Sequence, residues 1–342
     1  MEKKNGKGKE YNSKKELTFE GEYINDKKWI GKIRDYNSKE ELIYEGEYLY
    51  GKRNGRGKEF KNNKLIYEGE YLNEKRNGKG KEYDDLDDTL IFEGEYLNGK
   101  RIGKGKEYKK GGLIFEGEYS SGKRWNGKGK EYNNYGDLIF EGEYLNGKRN
   151  AKGKEYKNGK LVFEGEYLNG KRNDKGKEFD YYDAKLIFEG EYLKGERIRK
   201  GKEYHGGKLI FEGEYLKGKR NGKGKEYNNN GKLIFEGEFL KGEWWIGKEY
   251  NDNVQLIYEG EYLNGKRNGK GKEYNEYGKL IFEGEYLYGK RNGKGKEYND
   301  YGKLIFEGEY SNGIWWTGKE KEYGFFGSFE EVEYLKGKKK SS

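Results

Sequence analysis

From Leu42 the chain reads Leu-Ile-Tyr-Glu-Gly-Glu-Tyr-Leu, with apolar and charged positions alternating once past the first residues. Alternation of period two over six to eight residues, rich in β-branched and aromatic side chains, is the signature of a β-strand. A turn-like stretch, Gly51-Lys52-Arg53-Asn54-Gly55, follows, and then a second short run, Arg56-Gly57-Lys58-Glu59-Phe60. The Glu-Gly-Glu-aromatic core recurs thirteen times, with its glycine at positions from Gly21 and Gly46 through Gly284 and Gly308. Each copy predicts one β-hairpin. Asn and Gly tolerate the positive φ of a tight turn, so Asn54-Gly55, Asn77-Gly78, Asn221-Gly222, Asn268-Gly269 and Asn292-Gly293 are expected to mark the hairpin tips.

Alternation also predicts a register. With Gly46 opposite Gly57, Tyr48 should face Gly55 and Tyr44 should face Glu59 on one side of the sheet. Glu47 should then face Arg56, and Glu45 should face Lys58, on the other. The first side becomes a lane of rings for which the glycines leave room, and the second a zipper of opposite charges. The first eight intervals between core glycines alternate 25 and 23 residues, a 48-residue double unit whose extra residues are expected in loops such as Asp84–Thr89 and Asp180–Lys185.

A repeat of this length running through most of the chain implies an all-β fold: an elongated, twisted antiparallel sheet of consecutive β-hairpins, in which contacts run between neighbours. Thirteen hairpins at two strands each predict a body about 125 Å long. The organisation expected is a half-repeat cap over 1–19, the repeats over 20–323, a degenerate cap over 324–335 and a free basic tail over 336–342. Within the cap, Gly324-Phe325-Phe326-Gly327 is expected to pack over the exposed edge of the last hairpin.

Composition narrows the chemistry. Hydrophobic residues make up 31% and charged residues 39% of 342, values typical of disordered chains, but 17% are aromatic and fall at fixed positions. No cysteine is present, which removes disulfides and thiolate chemistry. No apolar run approaches the roughly 20 residues that span a bilayer, so a cytoplasmic protein, also suited to the cytoplasmic face of a membrane, is the expectation. Of the net charge of +9, the two ends supply six, leaving the repeat body close to neutral and arguing against nucleic acid.

The residues of Tyr44 to Gly57, aromatic-x-Gly-Glu-Tyr-x-x-Gly-Lys-Arg-Asn-Gly-x-Gly, resemble the MORN repeat (membrane occupation and recognition nexus), and the resemblance covers roughly residues 4 to 335. It implies a scaffold or interaction surface. No kinase, methyltransferase or transmembrane segment of the sort found beside such repeats accompanies it here, so no enzymatic activity carries over.

Candidate chemistry is sparse. The single histidine, His205, reads as an exposed loop residue. Glu45 and Glu47 are spaced like a carboxylate pair for acid–base work, but thirteen equivalent pairs argue against one active site. Gly55-Arg56-Gly57-Lys58 lacks the remainder of a phosphate loop. No enzyme, cofactor or metal is expected. Trp29, Trp125, Trp244, Trp245, Trp315 and Trp316 fall in hairpin tips of altered length, the first, second and last longer by a residue and the 244–245 tip shorter by one, which makes them candidate contacts for protein partners. Self-association end to end is a further expectation. Lys336, Lys338, Lys339 and Lys340, with tip residues such as Lys52 and Arg53, are candidate contacts to an anionic or phosphoinositide membrane surface.

Overall fold

The computed structural model describes residues 3–324 and 328–340. Twenty-nine strands, β1 (Gly6–Tyr11) through β29 (Lys338–Lys339), form one open antiparallel sheet, and no helix occurs among the described residues. The thirteen repeats supply two strands each. The chain divides into two compact units, Met1–Lys160 with Tyr167–Lys171 and Leu161–Glu166 with Arg172–Ser342.

The hairpin of β8 (Leu90–Leu97) and β9 (Lys100–Lys109), in the first unit, shows how the repeat is built. Phe92 pairs with Glu107, Glu93 with Lys106 and Gly94 with Gly105, the register that alternation predicts. Beyond that point the ladder departs from it. Glu95 pairs with Ile102 and Tyr96 with Arg101, so Gly103 and Lys104 are extra residues on β9. In the 42–61 hairpin the same bulge puts Tyr48 opposite Arg53 instead of Gly55, and Gly55 pairs with Tyr71 of the next repeat.

The bulge relocates the turns. The hairpin tips are the two residues Tyr50-Gly51, Asn98-Gly99 and their equivalents, both with positive φ, as in a type I′ turn. Asn54-Gly55 and its copies are not tips. They lie inside the second strand, with Gly55 at φ +78° and Gly103 at +53° serving the bulge. Both sites want a residue that accepts the left-handed region, which is why the sequence alone does not tell them apart.

Links on the other edge alternate, for most of the first unit, between two-residue turns such as Lys110-Gly111 and longer loops such as Asp84–Thr89. That alternation is the origin of the 23- and 25-residue intervals. The longer loops are closed by side chains: the Asn133 Oδ1 accepts the backbone N–H of Tyr135 at 3.0 Å and of Asp137 at 2.9 Å.

At the C-terminal end, Lys338–Lys339 pair with Tyr334 and Leu335 of β28 (Phe329–Leu335). The Lys340 ammonium lies 2.8 Å from a Glu333 carboxylate oxygen, and Lys339 is held by Glu320 and Glu322. Residues 336–340 are therefore a returning turn and strand, not a free tail, because the carboxylates of the preceding strands offer their cations partners. The packing expected of Gly324–Gly327 lies largely outside the described residues. His205 ends a strand opposite Lys208 and is exposed.

Candidate functional site

The two faces of the sheet have different chemistry. One carries the rings. The first aromatic of every repeat is 0–1% exposed, and most of the second ones are similarly buried. Neighbouring rings meet edge to face: Phe92 lies 5.5 Å from Tyr96 of its own hairpin and 5.0 Å from Tyr119 of the next. Glycine is required beneath them, since a Cβ on Gly94 or Gly105 would lie 2.6 Å from Cζ of Phe92.

With no second layer, the rings are covered by charged side chains of the same face. The Arg101 guanidinium lies 4.2 Å from the centroid of the Phe92 ring and is hydrogen-bonded to Glu82 on the second strand of the preceding repeat, β7 (Lys75–Tyr83). The Tyr96 hydroxyl donates to the same carboxylate at 2.8 Å, and Arg76 approaches it at 3.1 Å. Burial alone would raise the pKa of Glu82. Arg101, Tyr96 and Arg76 outweigh it and hold the carboxyl below its usual value. The same burial, with Glu82 beside it, raises the Tyr96 phenol.

Sequence reasoning missed this cover, although a signal was present. The position of Arg101 is arginine in ten repeats, Lys28 in one and tryptophan in two, so every copy has a group that can lie on a ring. Arg53 belongs to it: it lies 4.2 Å from the Tyr44 centroid and 2.9 Å from Asp35. That placement removes Arg53 from the candidate membrane contacts. Lys52, Lys336 and Lys338 are exposed and have no carboxylate within 4 Å among the described residues, whereas Lys339 and Lys340 are paired.

The tryptophans divide into two groups. Trp244 and Trp315 take the arginine position. Each indole is stacked on its repeat's first ring, Trp244 on Phe235 at 4.4 Å and Trp315 on Phe306 at 4.6 Å. Each Nε1 donates to the second strand of the preceding repeat, to Glu226 at 2.6 Å and to Glu297 at 2.7 Å. Both are inward, structural residues. Trp29, Trp125, Trp245 and Trp316 are instead the single bulged residue of their hairpins, between 37% and 48% exposed. All four of these hairpins have ten residues, not eleven, from one core glycine to its partner, so none is longer than the common unit. The two extra residues of the common repeat, such as Gly103-Lys104, become one, the tryptophan. Trp29 lies 4.4 Å from the ring of Tyr50 in the next tip, and its carbonyl accepts the N–H of Tyr50 at 2.7 Å. Within the first unit the structure does not bring the tryptophans together: Trp29 and Trp125 are eight strands apart, about 38 Å at the usual strand spacing.

The opposite face is uncovered among the described residues. In the first unit it forms a groove of ≈ 1200 Å³ whose floor is the bare backbone of paired glycines such as Gly69 and Gly80. Its walls are rows of alternating sign, Glu68 and Glu70 beside Lys79 and Lys81. A second groove of ≈ 870 Å³ in the second unit repeats the pattern between Gly247 and Gly308. Partial ion pairing across the walls, for example Lys106 to Glu116 at 3.4 Å, leaves them near neutral. The inner glutamates also serve the backbone, since a Glu47 carboxylate oxygen accepts the Arg56 N–H freed by the bulge, at 3.2 Å.

The sequence model of the MORN repeat matches eight stretches: 44–64, 67–85, 92–113, 140–160, 163–179, 211–232, 258–275 and 282–303. The five copies it passes over are the four tryptophan hairpins and residues 186–205, where Arg199 stands at the bulge position of Gly55. No curated protein has a matching sequence. Solved structures that align with the chain include the crystal structures of TcdB2-TccC3-TEV, at 11% identity, and TcdB2-TccC3-Cdc42, at 12%. Each alignment covers 96% of this chain and 19% of the other, with a TM-score of 0.18. The chain thus spans about a fifth of those chains, and at that score the likeness has no bearing on function.

Proposed function

Since this chain is a MORN-repeat protein, we propose that it is a non-enzymatic scaffold or adaptor that binds protein partners, its own copies among them, through the extended repeat surface. The observation that supports this reading is the contrast between the faces. One face uses its charged groups to seal its own rings. The other keeps a glycine-floored, charge-lined groove over many hairpins with none of the described residues packed upon it. Such a surface offers length and repetition instead of a single constellation of reactive groups, as expected of a protein that aligns partners.

The alternative is a peripheral adaptor on anionic or phosphoinositide lipid. It rests on Lys52, Lys336 and Lys338, which have no carboxylate within 4 Å among the described residues. A few exposed lysines give salt-sensitive attachment at most.

Co-sedimentation with neutral, phosphatidylserine and phosphoinositide vesicles, at low and physiological salt, separates the two. The scaffold reading expects no vesicle binding at physiological salt. Binding that survives it, prefers phosphoinositide and falls when residues 336–342 are deleted would replace the scaffold by the membrane adaptor.

A further inference from the structure

At the tip end of the grooved face, ten of the thirteen repeats place a leucine three residues beyond the core glycine, the others having Ile24, Ser120 and Ser311 there. Because Gly46, Gly57, Gly69, Gly80, Gly94 and Gly105 pair in line, Leu49, Leu72 and Leu97 fall in one row parallel to the groove floor. Leu72 is 48% and Leu97 50% exposed, and Leu49 is half-buried. Each leucine faces a lysine across its own hairpin, in the order Lys52, Lys75 and Lys100. A second set of cations, Arg56, Lys79 and Lys104, stands one row inward.

None of these six cations has a carboxylate within 4 Å among the described residues. For Arg56 and Lys79 the reason is visible. The glutamates opposite them in the ladder, Glu70 and Glu95, fold their carboxylates over the bulges of their own hairpins, where a Cβ on Gly78 or Gly103 would lie 2.4 or 2.3 Å away. The bulge thus draws the opposing carboxylates away from Arg56 and Lys79. What remains is a row in which leucines and lysines alternate strand by strand, with a second line of cations one row inward, on a protein whose body is otherwise close to neutral.

We propose that this row in the first unit is the docking site of an acidic amphipathic helix, one that presents an apolar residue every seven positions with glutamate or aspartate on either side. The spacing points to a helix. Leucines two strands apart repeat every 9.4–9.8 Å or so. Seven helical residues advance about 10.5 Å, so the mismatch over the row is roughly 2 Å, within reach of flexible side chains. An extended peptide laid along the row would repeat on one face every ~6.7 Å and lose register at the first step. The lysines between the leucines, with Arg56, Lys79 and Lys104 one row inward, select the acidic partner, and the exposed leucines supply the apolar contact. The inference deepens the scaffold reading and rests on it only in taking a protein as partner.

The test is fluorescence anisotropy of the full chain against a labelled 28-residue helical peptide carrying one leucine per heptad flanked by glutamates. A peptide of the same composition with its leucines every five residues is the control, and phosphatidylserine vesicles are tested in parallel. The heptad peptide binds and the control does not. Leu49→Asn with Leu72→Asn and Leu97→Asn weakens binding by roughly tenfold or more. So does Lys52→Glu with Lys75→Glu and Lys100→Glu, and far-UV circular dichroism checks that both variants keep their sheet. Equal binding of the two peptides, or binding indifferent to the leucine substitutions, overturns the proposal. No peptide binding and no vesicle binding overturns it and leaves the scaffold reading standing. Vesicle binding at physiological salt that both variants abolish, without peptide binding, assigns the row to a membrane and overturns both.

Discussion

The bulge residue in each second strand carries a conformational cost that the repeat does not always minimise. It is glycine in six common hairpins, but Ala151, Asp174 and Arg199 hold the same position at φ +54°, +59° and +50°. A side chain in the left-handed region costs about 1–2 kcal/mol, partly offset by the extra freedom that glycine loses on folding. Ala151→Gly and Asp174→Gly should each raise stability by roughly 0.5–1 kcal/mol, read as a higher urea midpoint with an unchanged slope. The ring cover makes the fold sensitive to pH at both ends. For Glu82, Glu131, Glu178 and Glu203, burial opposes ionisation, but the paired arginines and tyrosines prevail and hold the folded carboxyls below their usual 4.5. Their contribution is complete above that value and is lost as pH falls through the folded pKa values. Tyr71, Tyr96, Tyr119 and Tyr215 are shifted upward, first by burial and then by their glutamates. The folded chain holds these protons more tightly than the unfolded one, so stability should fall once pH rises past about 10. The share of the tyrosinate absorbance that these buried rings contribute should then appear together with unfolding.

At the scale of the hairpin, arginine and tryptophan are alternative covers for one ring. Trp244→Arg restores the common residue and should cost less than about 1 kcal/mol, whereas Trp244→Ala removes the stacked indole and its bond to Glu226 and should cost roughly 3–5 kcal/mol. Thermal unfolding of the pair measures the difference, and equal losses would show that stacking on Phe235 is not what the position supplies. The hairpin also marks where the sequence was legible. Alternation located both strands, and the pairing of Tyr44 with Glu59 and Gly46 with Gly57 followed from it. The tip did not follow. Asn-Gly fits both a type I′ turn and a left-handed bulge, and only the ladder on both sides of β9 shows which role it has. Trp244 and Trp315 were indistinguishable in sequence from their exposed neighbours Trp245 and Trp316, because the bulge decides which indole of each pair turns inward.

For the molecule as a whole, appreciable contact within each unit is confined to strands adjacent in sequence. Stability is then close to a sum of local terms. Removing Gly69–Glu116, one 48-residue double unit, joins Glu68 to Gly117 in register. The shortened chain should keep its far-UV circular dichroism per residue and stay within a few degrees of the parent melting temperature; collapse of the whole sheet would show coupling beyond neighbours. The neutrality of the body was also legible, since glutamates and lysines alternate strand by strand. Its local exception was not, because Arg56 and Lys79, beside the row of Leu49, Leu72 and Leu97, are uncovered by the folding of Glu70 and Glu95 over the bulges.

By itself the sequence determined the number of hairpins, the antiparallel order of the strands, the face that carries the rings and the need for glycine beneath them. These follow from period and from side-chain size, which act within one repeat. Tertiary structure alone decided which turn is the tip, which cations are engaged and which are free, which tryptophans are inward, and that Lys339 and Lys340 pair instead of trailing. Those depend on the strand next door. A charged side chain that can lie on a ring, accept an amide or point to water has no preferred state until its neighbour's register is set.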